Sequence, residues 1–294
     1  MLICSTGTIG VPLPVDKIAA VLPSLPARLS RDGGDAAARA ILTTDTHEKH
    51  FAVTFPLQGV PVTLGGMVKG AGMIEPHMAT MLAFITTDAA VTPSALRHAL
   101  QQAVDRSFNR ITVDGDQSTN DTVLLLANGR AGNTPTLAEA TPDFEVFAGK
   151  LNELCRRMAY ALVADGEGAT KVVEIMVRGA ADEAAAAAAA RAVARSLLVK
   201  TSWTGADPNW GRVMAALGVS GAEFREDRVS IEYDGLPAVR GGCAAETPFA
   251  ALQQVIAKPA FRLTIDLGSG TGESMMWSCD CSEEYVRINA AYMT

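Results

Sequence analysis

Residues 143–164 place Phe147, Leu151, Leu154, Met158 and Leu162 at helical spacing behind an acidic, proline-marked start at Pro142-Asp143. Apolar side chains three and four apart share one stripe of a helix, so this stretch has to bury a face against another layer. Further helices are expected at 93–107, 181–198 and 246–257, with the alanine run 184–190 inside the third. Between them lie short runs of β-branched and aromatic residues bounded by Gly, Asp or Pro. They predict strands at Phe51–Phe55, Val60–Leu64, Thr122–Leu126, Val172–Val177, Val229–Tyr233 and Phe261–Ile265. Long helices alternating with strand pairs imply a layered α/β fold, and no internal repeat of solenoid length is visible. The stretch 131–143, rich in Gly, Asn, Thr and Pro, is expected to be a surface loop.

With 294 residues, 48% hydrophobic and 19% charged, the chain can bury a large core in one α/β domain or two smaller ones. A net charge of −7 without clustered Lys and Arg argues against nucleic acid or an anionic membrane surface as partner. No apolar stretch reaches membrane-spanning length. Residues 1–15 lack a basic start and are broken by Gly7, Gly10, Pro12 and Pro14, unlike a signal peptide, so the expected compartment is the cytoplasm. Five irregularly spaced cysteines suggest free thiols. Cys279 and Cys281 have no histidine nearby in sequence, which disfavours a metal there. Asp114, Asp116, Ser118 and Asn120 imitate a calcium loop, but Thr119 and Leu125 stand where Gly and Glu belong. Gly268–Gly272 lacks the Gly-Lys-Ser/Thr of a phosphate loop and is expected to be a turn, as is Asp207-Pro208-Asn209-Trp210 with its aromatic plug.

The segment 69–84 sets Thr80 between small and apolar neighbours after a glycine-rich approach. Cut before Thr80, such a chain would hold a hydroxyl nucleophile and its own amine base in one residue, and the unperturbed amine titrates near 7.7–8.0. On pattern alone an Ala-Thr step in an apolar run also fits an ordinary buried strand or helix start. His77, three residues upstream, fits packing or surface as well as a part in proton movement.

The segment 69–84 closely resembles the cleavage and nucleophile region of the ornithine acetyltransferases, the bifunctional glutamate N-acetyltransferases of arginine biosynthesis. Further blocks resemble that family in the same order: Cys4–Gly10, Thr43–Thr46, Asp114–Thr122, Asp165–Lys171, Asp207–Arg212 and the closing Val286–Thr294. The resemblance implies a sandwich of β-sheets flanked by helices, of the N-terminal-nucleophile acetyltransferase or aminopeptidase type. It also implies self-cleavage at Ala79-Thr80 into portions 1–79 and 80–294. Family members carry a substantial segment ahead of the Ser5-Thr6-Gly7 block, where this sequence starts almost at once, so a truncated, non-catalytic relative is a second expectation.

The same resemblance implies Thr80 as nucleophile and Thr6 and Gly7 as oxyanion donors. Their other reading is a turn whose hydroxyls bond the backbone. Thr43, Lys69, Thr80, Glu167, Asn289 and Thr294 match the family's substrate-binding positions, whereas Ala291 and Met293 depart from its usual ending. For Lys69 and Glu167 the other reading is solvated surface charge. The implied substrates are N-acetylornithine as donor and glutamate as acceptor, with acetyl-CoA as a further donor in bifunctional members, and neither metal nor organic cofactor. The implied assembly is a heterotetramer of two cleaved pairs. An amidase or aminopeptidase, in which water takes the acyl group, is the alternative chemistry.

Overall fold

A computed structural model describes residues 2–75 and 81–291. Short helices α1 (Val15–Val21), α2 (Leu25–Arg28) and α3 (Gly34–Ala40) precede β1 (Lys49–Leu57), β2 (Val60–Lys69) and β3 (Leu82–Thr87). Then come α4 (Pro93–Asp105), β4 (Ile111–Thr112), β5 (Thr122–Ala127), α5 (Pro142–Ala164) and β6 (Val172–Ala180). The remainder is α6 (Glu183–Arg195), α7 (Leu197–Thr204), α8 (Trp210–Gly218), β7 (Ser230–Tyr233), β8 (Leu236–Arg240), β9 (Cys243–Ala244), α9 (Phe249–Ile256), β10 (Ala260–Asp266), β11 (Gly272–Cys279) and α10 (Glu283–Ala291).

One sheet runs β1-β2-β3-β5, antiparallel up to β3 and parallel between β3 and β5. The other runs β4-β11-β6-β10-β7-β8-β9, with β6 and β10 parallel at its centre. Helix α5 packs on β1 and β2 and also reaches β4 and β11, while α6 covers β6 and β11. This is the expected layered α/β sandwich, in which sheets are flanked by helices.

The physical reason lies mostly in α5. Its Phe144, Phe147, Leu151, Leu154, Met158 and Leu162 are buried in one core with Val62, Leu64 and Ile85 of the first sheet. Each large apolar side chain so buried contributes roughly 1.5–3 kcal/mol, against about 1 kcal/mol for the Thr141 N-cap, whose hydroxyl accepts the Phe144 N–H. Packing therefore holds the helix in place, and the cap sets where it starts. Gly66 lets the layers close, because a Cβ there would come within 2.9 Å of the Met158 sulfur.

Every predicted strand lies within an observed one except that Val229 falls just before β7, and β3, β4, β8, β9 and β11 add to them. The helix expected at 181–198 is two: Ser196 is extended, and its hydroxyl caps α7 by accepting the Val199 N–H. Asp207–Asn209 does turn, but Trp210 opens α8, capped by the Asn209 side chain. The 131–143 loop is not wholly superficial, since Asn133 and Leu137 are buried and α5 begins at Pro142. Among the described residues no helix is long and apolar enough to cross a membrane.

Candidate active site

Lys69 ends β2 and Leu82 begins β3, and the two are paired in register. Positions 70–81 join them, and of these 70–75 and 81 are described. The loop 113–121 holds both of its described ends. Asp114 accepts the N–H groups of Met73, at 2.6 Å, and Ile74, at 3.0 Å. Asp121 accepts the N–H of Met81. Met73 sits at φ 55°, a left-handed conformation uncommon for a non-glycine residue, and its bond to Asp114 helps to hold it there.

Below this excursion lies a buried ionic core. Lys49, at the start of β1, bonds Asp45 at 2.8 Å and also bonds Asp165, the residue that ends α5. Asp45 further accepts the N–H groups of Gly70, at 2.6 Å, and Thr43, at 3.1 Å. Burial would raise the Asp45 carboxyl, but the Gly70 N–H and Lys49 outweigh it and hold the group below the usual carboxylate range. Asp165 also takes the Thr46 N–H at 3.1 Å. The loop 43–46, the end of β2 and the end of α5 are thus tied at one point.

Above this core opens a cleft of about 430 Å³, within the size range of small-molecule sites. Thr6, Gly7, Thr43, Lys69, Glu167 and Asn289 all line it, so the structure brings together every expected site residue that it describes. Thr80, Ala79, His77 and Thr294 lie outside the described residues. Lys69 and Glu167 are buried, not solvated surface charges. The Lys69 ammonium donates to the Thr43 hydroxyl at 3.0 Å, and Asn289 donates to Glu167 at 2.8 Å. Burial lowers the Lys69 pKa, and the nearby Asp45, Asp121 and Glu167 carboxylates oppose part of that shift. Gly72 leaves room for Glu167, whose carboxyl would lie about 2.5 Å from a Cβ at that position.

The cleft therefore offers a cation, an anion and neutral donors within one hollow, which suits a zwitterionic ligand. A larger hollow of about 610 Å³ beside α5 holds none of these residues, and its Arg156 is already stacked over the Trp277 ring at 4.6 Å. Sequence reasoning missed the roles of Asp45, Lys49, Asp165 and Asp121. The spacing of Asp45 and Lys49 was a signal, but their meeting with Asp165 was not local. Tyr285 was missed as well; it lines the cleft and donates to Asp114 at 3.4 Å.

Comparison with known proteins gives a consistent result. The family model described as the ArgJ family matches residues 1–294. An arginine biosynthesis bifunctional protein ArgJ of Symbiobacterium thermophilum is 49% identical over 99% of this chain and 72% of its own. Its namesake in Geobacter sulfurreducens is 49% identical over 100% of this chain and 75% of its own. A solved structure of the Bacillus halodurans arginine biosynthesis bifunctional protein is 38% identical, with a TM-score of 0.69. That match covers 71% of this chain and 98% of the solved one.

Proposed function

The chain belongs to the ArgJ family, and from that premise we propose that it transfers the acetyl group of N-acetylornithine to glutamate in arginine biosynthesis. The observation that carries the reading is the meeting of Lys69, Thr43, Glu167, Asn289, Thr6 and Gly7 around one cleft, which Ala71, Gly72 and Met73 also line. In this reading the chain cuts itself between Ala79 and Thr80. The new amine takes the hydroxyl proton of Thr80, and the freed oxygen attacks the acetyl carbonyl. Thr6 and Gly7 donate to the oxyanion that develops, a contribution worth roughly 2.7–4 kcal/mol per donor in such sites. Ornithine leaves with the proton; the glutamate amine nitrogen then attacks the acetyl carbonyl, the ester bond to the Thr80 oxygen breaks, and the amine proton passes through the Thr80 amine to that oxygen. Lys69 offers its ammonium to a substrate carboxylate and Glu167 its carboxylate to a substrate ammonium, with Thr294 closing the site. No metal or organic cofactor enters these steps.

The cleaved pairs then assemble two by two in the cytoplasm. Intact mass under denaturing conditions tests the cut, and acetylglutamate measured against free acetate tests the acceptor. Two pieces and dominant acetylglutamate are expected; acetate in excess would assign the site to hydrolysis.

Glu167→Gln is expected to raise KM for N-acetylornithine by about tenfold to a hundredfold, because a hydrogen bond to a charged group is worth roughly 1.5–3 kcal/mol. Gly72→Ala, which drives a methyl group against the Glu167 carboxyl, is expected to move KM in the same direction. Steady-state kinetics on both variants checks this, and unchanged KM values would remove Glu167 from the binding site.

A further inference from the structure

Asp45 is not among the residues that line the cleft, yet it holds Lys69, which is, at two points. Its Oδ1 accepts the Gly70 N–H at 2.6 Å, and that amide belongs to the peptide joining Lys69 to Gly70, so the backbone is fixed where β2 ends. Its Oδ2 accepts the Thr43 N–H at 3.1 Å and stands 3.5 Å from the Thr43 hydroxyl, which accepts the Lys69 ammonium at 3.0 Å. With one lone pair of that hydroxyl given to Lys69, its proton can turn towards the Asp45 carboxylate. Asp45 is held in turn: Lys49 bonds its Oδ1 at 2.8 Å, and Asp165 bonds Lys49.

Lys69 needs such support, because burial acts against its ammonium and lowers its pKa. The charged groups that bear on it are Asp45 from the loop 43–46, Lys49 from β1, Asp121 from the loop before β5 and Glu167 from the loop after α5. Of these the three carboxylates favour the ammonium, Asp45 most strongly, and Lys49 opposes it. Glu167 is bonded to Asn289 and Asp121 to the Met81 N–H, whereas Asp45 is the carboxylate in line with Thr43 and Lys69. An ammonium carries three donors, so with one bonded to Thr43 the other two can serve a ligand carboxylate.

We propose that Asp45 is a positioning residue for substrate binding: it aims Lys69 through Thr43 and Gly70 and balances its charge, so that the cleft presents a fixed ammonium to the carboxylate of N-acetylornithine. The inference rests on the reading above in which Lys69 meets that carboxylate. No bond is made or broken at Asp45, and it takes no part in the acyl transfer. Asp45→Asn keeps an oxygen for the Gly70 N–H and leaves Lys49 with Asp165, but removes the negative charge. Lys69 then loses its proton at a lower pH than in the wild type, and with it the hold on the carboxylate.

The test compares kcat/KM for N-acetylornithine with that for N-acetyl-1,4-diaminobutane, the same donor without its carboxylate, from about pH 6 to about pH 8.5. The ratio of the two cancels whatever the donors share, including the state of the acylating group. In the wild type it is expected to be about tenfold to a hundredfold throughout, the worth of a hydrogen bond to a charged group. In Asp45→Asn it is expected to approach the wild-type value at about pH 6 and to shrink at least about fivefold by about pH 8.5, through KM for N-acetylornithine. A loss of packing alone would slow both donors together and leave the ratio flat. A variant ratio that does not change with pH would therefore overturn the role of Asp45, whereas a wild type that treats the two donors alike would defeat the reading of Lys69, and this inference with it. Should the variant not fold, ¹³C NMR of lysine-labelled wild type decides: Lys69 is expected to be an ammonium at about pH 8, and a neutral amine there would overturn the proposal.

Discussion

A Thr80→Ala protein is expected to remain one piece of 30.8 kDa and to lose acetyl transfer by at least about 10⁴-fold. The side-chain oxygen serves twice in the proposed chemistry, first attacking the preceding carbonyl to form an Ala79 ester that water hydrolyses, which breaks the backbone, and then attacking the acetyl donor. Its removal stops both. The cleft itself stays intact, because Lys69, Thr43, Glu167 and Asn289 are held by bonds that do not involve position 80. Donor binding, measured by calorimetry, should therefore survive while turnover does not. Thr80→Ser restores a hydroxyl on the same backbone and is expected to recover both scission and measurable transfer. An alanine variant that is still cut, or that still transfers acetyl at the wild-type rate, would place the nucleophile elsewhere.

Lys49→Met is expected to be the most destabilising single change in the site. It removes the cation shared by Asp45 and Asp165 and leaves two buried carboxylates without it. Breaking a buried pair from one side costs about 3–5 kcal/mol, which for a protein of this size lowers Tm by roughly 6–20 °C. In the wild type the Asp45 pKa is lowered, so its contribution is present above the unfolded carboxylate pKa and lost as pH falls through the folded one. Without Lys49 the burial of Asp45 is opposed only by the Gly70 and Thr43 N–H groups, so its folded pKa is expected to lie above the wild-type one. The variant's deficit should then shrink as pH falls from 7 towards 4. Thermal melts at both pH values check this, and a Tm within about 2 °C of wild type at pH 7 would show that the ionic core is not structural.

The parts of the fold legible in sequence were those whose periodicity reports burial directly. Helix α5 and the β-branched strands β1, β5, β6 and β10 belong here. Strand β11, with the sequence Gly-Glu-Ser-Met-Met-Trp-Ser-Cys, has no β-branched residue and gave no signal. It becomes a strand because β6 and β4 pair with it on either side. Strand β3 was hidden inside the apolar run around Thr80, where short hydrophobic stretches fit helix and strand alike. For the site, family blocks pointed to Thr6, Gly7, Thr43, Lys69, Glu167 and Asn289, but spacing alone could not have joined them. The ionic core was less visible still, since Lys49 and Asp165 stand 116 positions apart and meet only once the sheet and α5 have packed. Asp121 lay within a block that resembled the family and was weighed for calcium, neither of which gave it a role, and its bond to Met81 depends on the parallel pairing of β3 with β5.

The register of Lys69 with Leu82 has a consequence for what scission leaves behind. If the chain is cut between Ala79 and Thr80 as proposed, Lys69 and Leu82 stand on opposite sides of the break: β1 and β2 go to one product, β3 and β5 to the other, and the hydrogen bonds between β2 and β3 would join the two pieces. The core formed by α5 with Val62 and Leu64 is likewise shared by both products. The portion 1–79 would keep no closed hydrophobic interior if separated, whereas 80–294 would still hold the core of the second sheet, and loss of the shared core on heating should release the two pieces from each other.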